Sequence, residues 1–269
     1  MLSKKLEGMP IPNVINLAEC VDRKEYTEEQ FRNLGIPNIH THTYKRYTED
    51  PDPIPFVGDP ELIKGITPGV TSSHLLTIKW WLENTDEPAG IFFEDDVDFS
   101  AIEHWPFTLQ EFIDRCGDSW GALHLCNVFE YPYDVDNEYP AMVPRRRKMW
   151  DHGLQCYMLK REYAQKIVDY YFDSPKRQIH IRMPFAAPPS FENNVLHGFG
   201  LVVSFPLFNQ NVTDFRSKNI YYYNKQAQSA IYSYEFIKAW WELKGSKMTL
   251  EEIFDNDRES HKTYGVLEL

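Results

Sequence analysis

No stretch of the sequence reaches about 18 consecutive apolar residues, so no membrane-crossing helix is expected. Cysteine is scarce. Cys20, Cys116, Cys126 and Cys156 form no Cys-x-x-Cys pair and stand at no metal-like spacing from histidine. That argues against a zinc site and a disulfide framework, and predicts four reduced, mostly buried thiols. Positive charge is also in deficit, with 28 Lys+Arg against 40 Asp+Glu and a formal net charge of −12. A nucleic-acid partner or an anionic membrane would call for a basic surface, so neither is expected. The N-terminus, Met1-Leu2-Ser3-Lys4-Lys5-Leu6-Glu7, turns acidic before an apolar stretch forms. A secretory signal is therefore not expected, and a cytoplasmic location is. The 269 residues show no repeat, low-complexity tract or linker, so a single domain is expected.

Aromatic residues, in contrast, are abundant at 15%. Such rings fill cores, and they also form platforms for sugars and bases. Trp80-Trp81, Trp240-Trp241 and Tyr221-Tyr222-Tyr223 are the runs that raise this question. Neighbours on a helix project about 100° apart, so at most one of each Trp pair faces a given site. Core packing is the expected role.

Apolar runs and helical segments alternate. Strands are expected at Val14-Ile15-Asn16-Leu17, Gly90-Ile91-Phe92-Phe93, residues 120–125, residues 155–159 and residues 200–205. Thr27-Glu28-Glu29-Gln30 reads as a capping box opening a helix that ends near Gly35. Ser72 or Ser73 is expected to open a helix running through Leu82. Further helices are expected at residues 105–115, at 162–172, after an N-cap at Ser190, at Tyr234–Leu243, and from Thr249 to about Asp255. Residues 37–68, rich in proline and acid, read as a long irregular surface segment. The alternation is that of an α/β protein with a mixed, mainly parallel sheet flanked by helices and a helical C-terminal tail.

Glu94-Asp95-Asp96-Val97-Asp98 is the most informative stretch. Carboxylates placed together at a strand end repel one another, and a bound cation relieves that repulsion. Oxygen-only ligands suit Mg²⁺, Mn²⁺ or Ca²⁺. In open α/β sheets, ligands sit beyond the carboxyl ends of the strands. An acidic turn without a ligand is the alternative.

Five segments, in order, resemble glycosyltransferase family 25, which includes bacterial lipooligosaccharide and collagen galactosyltransferases. They are Val14-Ile15-Asn16-Leu17 followed by Asp22-Arg23; Gly69-Val70-Thr71-Ser72-Ser73-His74; Phe93-Glu94-Asp95-Asp96-Val97; Gly153 to Leu159 with Ala164; and Phe205-Pro206-Leu207-Phe208-Asn209-Gln210 with Ser217. They span roughly residues 11–219. The resemblance implies a GT-A type fold and sugar transfer from a nucleotide sugar, expected to be UDP-linked, with inversion at the anomeric carbon. The acceptor would be a hydroxyl of a glycan, lipid-glycan or protein.

The resemblance also distributes roles. Asp96 would bind Mn²⁺ or Mg²⁺, joined by Glu94, which otherwise contacts the ribose. Asp98 joins them or is a solvated acid. Asn16, Leu17, Arg23 and Asp95 would lie at the nucleotide. Ser73 and His74 would meet anions at a helix start, the alternative for His74 being a packed histidine that supports a site residue. Glu192, in Ser190-Phe191-Glu192-Asn193-Asn194, stands where the family tends to carry an Asp, and is the first candidate for the base that deprotonates the acceptor. Asp151 is the second. His152 and His197 are candidate third metal ligands. Arg145-Arg146-Arg147-Lys148 is either a diphosphate attractor or a solvated loop. A nucleotide-sugar hydrolase and a non-catalytic sugar- or nucleotide-binding protein are the competing readings.

Overall fold

The computed structural model describes residues 2–58, 67–128, 142–147, 151–181, 196, 199–212 and 225–255. A short helix α1 (Leu2–Lys5) leads into β1 (Pro12–Leu17), α2 (Val21–Asn33), β2 (His40–Tyr44) and β3 (Phe56–Gly58). Then come α3 (Thr67–Asn84), β4 (Ala89–Glu94), β5 (Val97–Asp98), a 3₁₀ turn at Ser100–His104, and α4 (Leu109–Arg115). Next are β6 (Trp120–His124), β7 (Arg145–Arg146), β8 (Cys156–Lys160), α5 (Arg161–Tyr171), β9 (Phe172–Asp173) and β10 (Gln178–Ile181). β11 (Leu201–Ser204), β12 (Asn209–Gln210), α6 (Lys225–Leu243) and α7 (Leu250–Asp255) follow.

Seven strands form the main sheet in the order β2-β1-β4-β8-β6-β11-β7. β1, β2, β4, β6 and β11 run in one direction, and β8 and β7 run against them. The sheet is therefore mixed and mainly parallel, as the alternation of elements implies. Both faces are covered, and side-chain parity shows it. In β4, Ile91 and Phe93 join Phe31 and Leu34 of α2 in one apolar cluster. Phe92, between them, joins Leu75, Ile78 and Trp81 of α3 and the buried face of α5 in the other. Successive strand residues point to opposite faces, so a continuous apolar run serves two cores at once.

The chain leaves β1 through α2 to reach β2 on one side. It passes through α3, on the opposite face, to reach β4 on the other side of β1. The strand order thus reverses at β1, and the crossovers diverge there. The carboxyl ends of β1 and β4 flank the crevice, the usual ligand position in open α/β sheets.

Four expectations are corrected. α2 begins at Val21, six residues before the supposed cap, and Thr27 is buried inside it. Its end is as expected: Gly35 has φ 77°, and the Gly35 N–H and Ile36 N–H bond back to Arg32 O and Phe31 O. α3 begins at Thr67, so Ser72 and Ser73 lie within its turns, and their hydroxyls donate to Gly69 O and Val70 O. Residues 37–68 carry β2 and β3. The helix of the C-terminal tail begins at Lys225, ahead of the expected Tyr234, and packs into the core. Ile237 and Trp241 of α6 pack against Trp105 and Phe205, and Trp241 Nε1–H donates to Pro206 O at 3.1 Å. The Thr249 box does cap α7, with Thr249 and Glu252 bonding reciprocally.

Gly90 of β4 lies under the indole of Trp81. An added Cβ would stand 2.7 Å from Trp81 Cε2, and Trp81 is fully buried. Gly90→Ala is expected to cost about 1–3 kcal/mol by overpacking. Urea unfolding should show a lower midpoint at unchanged slope.

Candidate functional site

At the crevice lies a cavity of about 530 Å³. Ile15, Asn16 and Leu17 enter from β1, Arg23 from α2, and Arg46, Tyr47 and Thr48 from the segment after β2. Gly69, Val70, Ser73 and His74 come from α3, and Glu94, Asp95 and Asp96 from the end of β4. Its volume is ordinary for a small-molecule site. Eight residues singled out in the sequence (Asn16, Leu17, Arg23, Ser73, His74, Glu94, Asp95 and Asp96) line this one cavity.

The acidic segment is held by α2 and β12. Thr27 Oγ1–H donates to Asp95 O at 2.8 Å, and Gln30 Nε2–H donates to Val97 O at 2.9 Å. Gln30 Oε1 accepts from Phe99 N–H at 3.1 Å. Thr27 and Gln30 stand three apart, on one helical face, and use it to grip the loop instead of capping a helix. Just after β12, Asn211 N–H donates to Asp96 O at 2.7 Å.

Each acid has a different environment. Glu94 lies level with Ile15 in the parallel pairing, and its Oε1 is 3.2 Å from His74 Nε2. Asp95 accepts from Asn16 Nδ2 at 2.7 Å and from the Leu17 N–H, and lies 3.3 Å from Arg23 Nη1. Asp96 Oδ2 accepts from Gln210 Nε2 at 3.0 Å and lies 3.7 Å from the same Arg23 nitrogen. Asp96 Oδ1 is buried with no hydrogen-bond partner among the described residues. Asp98 is neither solvated nor grouped with them. It is buried, and it accepts from the Ser100 N–H at 2.9 Å, from the Ser100 hydroxyl and from Tyr26.

Burial pushes the Asp95 carboxyl up to about 6, against the opposing pull of Arg23 and Asn16. Burial first, then Glu94 and Asp95, push Asp96 up to about 7. Burial works against the Arg23 charge, but Asp95, Asp96 and Cys20 outweigh it and hold the guanidinium firmly protonated.

The donor set suits a hard divalent cation in one mode. Among the described residues, no group of three or more His, Cys, Asp or Glu side chains converges as a complete cage. Asp96, with its bare Oδ1, and Glu94 offer the one or two carboxylates with which Mg²⁺-type sites begin, the rest coming from water and substrate phosphate.

Other candidates lie elsewhere. Glu192, His197, Lys148 and Tyr221–Tyr223 lie outside the described residues. Asp151 is buried and does not line the cavity. Its carboxylate takes a two-pronged pair from Arg145, at 2.6 and 2.5 Å, and its carbonyl accepts from Arg147. Of the basic run, Arg145 and the buried Arg147 bond to Asp151, and Arg146 is exposed. His152 sits on a bridge with Val128, away from the cavity lining. Trp81 and Trp241 are core residues, Trp240 packs on Trp241, and Trp80 meets His40 and His42 edge-on. Two side chains that touch the site residues were given no role by the sequence: Gln210, on Asp96, and Tyr157, whose hydroxyl is 2.9 Å from His74 Nδ1. Gln210 falls in the fifth resembling segment and Tyr157 in the fourth, which was their only signal.

No protein-family model and no curated protein matches the chain. Among solved structures, the chain is similar to A197 from STIV at 10% identity and TM-score 0.41, over 74% of this chain and 84% of that one. It is similar to HddC from Yersinia pseudotuberculosis at 9% identity and TM-score 0.32, over 74% and 72%. The HddC structure complexed with GMP-PN gives 9% and 0.32, over 83% and 99%. Among the described residues, no helix is long and apolar enough to cross a membrane.

Two predictions follow from these environments. Asp96 titrates near 3.9 in an unfolded chain and near 7 here, so the folded state binds its proton more tightly. Its stabilising contribution is complete below about pH 4 and is lost as pH rises through about 7. In EDTA, wild-type protein should therefore lose stability relative to Asp96→Asn between about pH 5 and about pH 8. Urea unfolding at each pH measures the gap, and a constant gap contradicts the assignment. Asp151→Ala removes the two-pronged carboxylate partner of Arg145 and should cost about 3 kcal/mol or more, read as a lowered Tm. Lost turnover at a wild-type Tm would instead identify Asp151 as a base.

Proposed function

We propose that this chain is a nucleotide-sugar-dependent glycosyltransferase. It moves a hexose from a UDP-sugar to an acceptor hydroxyl, with inversion and with help from Mn²⁺ or Mg²⁺. One observation carries the reading: a cavity at the β1–β4 switch point ends in a buried carboxylate oxygen, Asp96 Oδ1, that has no partner among the described residues. Such an atom is costly unless something polar or charged meets it.

Transfer from a diphosphate leaves negative charge on the departing group, and fixed positive charge aimed there lowers the barrier. Asp96 and Glu94 are the residues that would hold the divalent ion. When bound, the ion supplies charge neutralisation of the leaving diphosphate. Arg23 already stands beside Asp95 and Asp96, and its planar fork suits a phosphate as well as a carboxylate. Asn16 and the Leu17 N–H hold Asp95, which pairs with Arg23 in the cavity lining. Ile15, Val70 and Tyr47 give the cavity an apolar flank suited to a nucleoside. The base in this reading is Glu192.

The test is UDP release from a panel of UDP-sugars, with and without Mn²⁺ and acceptor hydroxyls, beside Asp96→Ala. Mn²⁺-dependent release from one donor is expected, falling at least about a hundredfold in the variant. Undiminished release from Asp96→Ala overturns the assignment. Release that needs no acceptor makes the protein a hydrolase. A rise in Tm with UDP but no release with any donor makes it a binding protein.

A further inference from the structure

Tyr157 lies in the middle of β8, in register with Phe92 of β4. Its ring stacks on Phe92 at 5.2 Å and on the imidazole of His74 at 5.7 Å. Its hydroxyl is 2.9 Å from His74 Nδ1, and His74 Nε2 is 3.2 Å from Glu94 Oε1. Tyr157 is fully buried and His74 is 1% exposed, whereas the Glu94 side chain, at 24%, is the member open to the cavity.

Donor and acceptor chemistry orders this chain. An ionised carboxylate only accepts, so His74 Nε2 carries the hydrogen that bonds Glu94. In a neutral imidazole, Nδ1 is then the acceptor and takes the phenol O–H. Both donors point toward the carboxylate. Burying a phenol and an imidazole beside one another costs free energy unless both are bonded, and phenylalanine, as at Phe92, would fill the same column without that cost. The arrangement spans α3, β4 and β8 and ends on one cavity carboxylate. Glu94 Oε2, at its far end, has no hydrogen bond among the described residues.

We infer that Tyr157 and His74 are positioning residues for Glu94, locking its rotamer so that Oε2 is presented to the cavity for the divalent cation. This rests on the metal role proposed above. It adds two buried residues through which affinity for the ion is set, in the way that hydrogen-bonded outer partners orient metal-binding side chains.

The test is Mn²⁺ binding to the whole chain, by EPR or calorimetry with Mn²⁺ alone and with UDP. Wild type is compared with Tyr157→Phe, His74→Gln and His74→Ala, with Tm measured on each. Tyr157→Phe keeps the ring and its stacking and removes one hydroxyl. It is expected to weaken Mn²⁺ binding about tenfold or more. His74→Gln retains an N–H for Glu94 and should bind more tightly than His74→Ala. A merely structural role would lower Tm and leave Mn²⁺ affinity alone, and that result overturns the inference. If Tyr157→Phe does not fold, the two His74 variants give the same decision. Wild-type protein that binds no Mn²⁺, with or without UDP, removes the proposed metal role and this inference with it. Wild-type binding with indifferent variants removes the positioning role alone.

Discussion

Like charges crowded at a buried strand end repel, and burial strengthens that repulsion, so the acids from Glu94 to Asp98 each need a fixed partner. The partners come from different parts of the chain. His74 of α3 meets Glu94, Asn16 of β1 and Arg23 of α2 meet Asp95, Gln210 of β12 meets Asp96, and Ser100 and Tyr26 meet Asp98. The acidic segment is therefore a junction for four elements and a turn. Among the described residues, Asp96 Oδ1 is the buried carboxylate oxygen left without a partner. The cavity opens where this one deficit lies.

The sheet explains why the deficit sits in a cavity and not in the core. Reversal of the strand order at β1 sends α2 and α3 to opposite faces, and the cavity lies between them at the ends of β1 and β4. The antiparallel strand β8 lies on the far side of β4 and brings Tyr157 level with Phe92. Gln155, the residue before that strand, supplies the carbonyl that accepts from the Glu94 N–H. The last residue of β4 is thereby fixed at its backbone by the residue leading into β8 and at its side chain by α3.

Support also reaches the site from the C-terminal part of the chain. Asn209 Nδ2 donates to Tyr234 O of α6, and β12 pairs with β5 through Asn209 and Gln210. Trp241 anchors α6 on Pro206 and in the aromatic cluster with Trp105 and Phe205. The path from the α6 core to Asp96 is thus short and continuous: Trp241, Pro206, β12, Gln210. A helix that shares no cavity wall still bears on the placement of the orphaned carboxylate.

Local pattern alone was enough for several features. Alternating apolar runs and helices specified an α/β sheet covered on both faces, because strand and helix periods are properties of short segments. The bunched acids at the end of Phe92-Phe93 marked the site for the same reason, since repulsion between neighbours is local. Contacts between distant segments were not available to it. Thr27 and Gln30 have the letters of a capping box, yet they grip a loop that passes 68 to 69 residues later in the chain. Ser73 reads as a helix start, yet the helix begins at Thr67. Asp151 reads as a free acid until Arg145 folds back on it. Tyr157 meets His74 across 83 residues, and Gln210 meets Asp96 across 114. Strand register and the faces taken by the crossover helices decide those meetings, and both are set by how the two cores pack, which no short window of sequence contains.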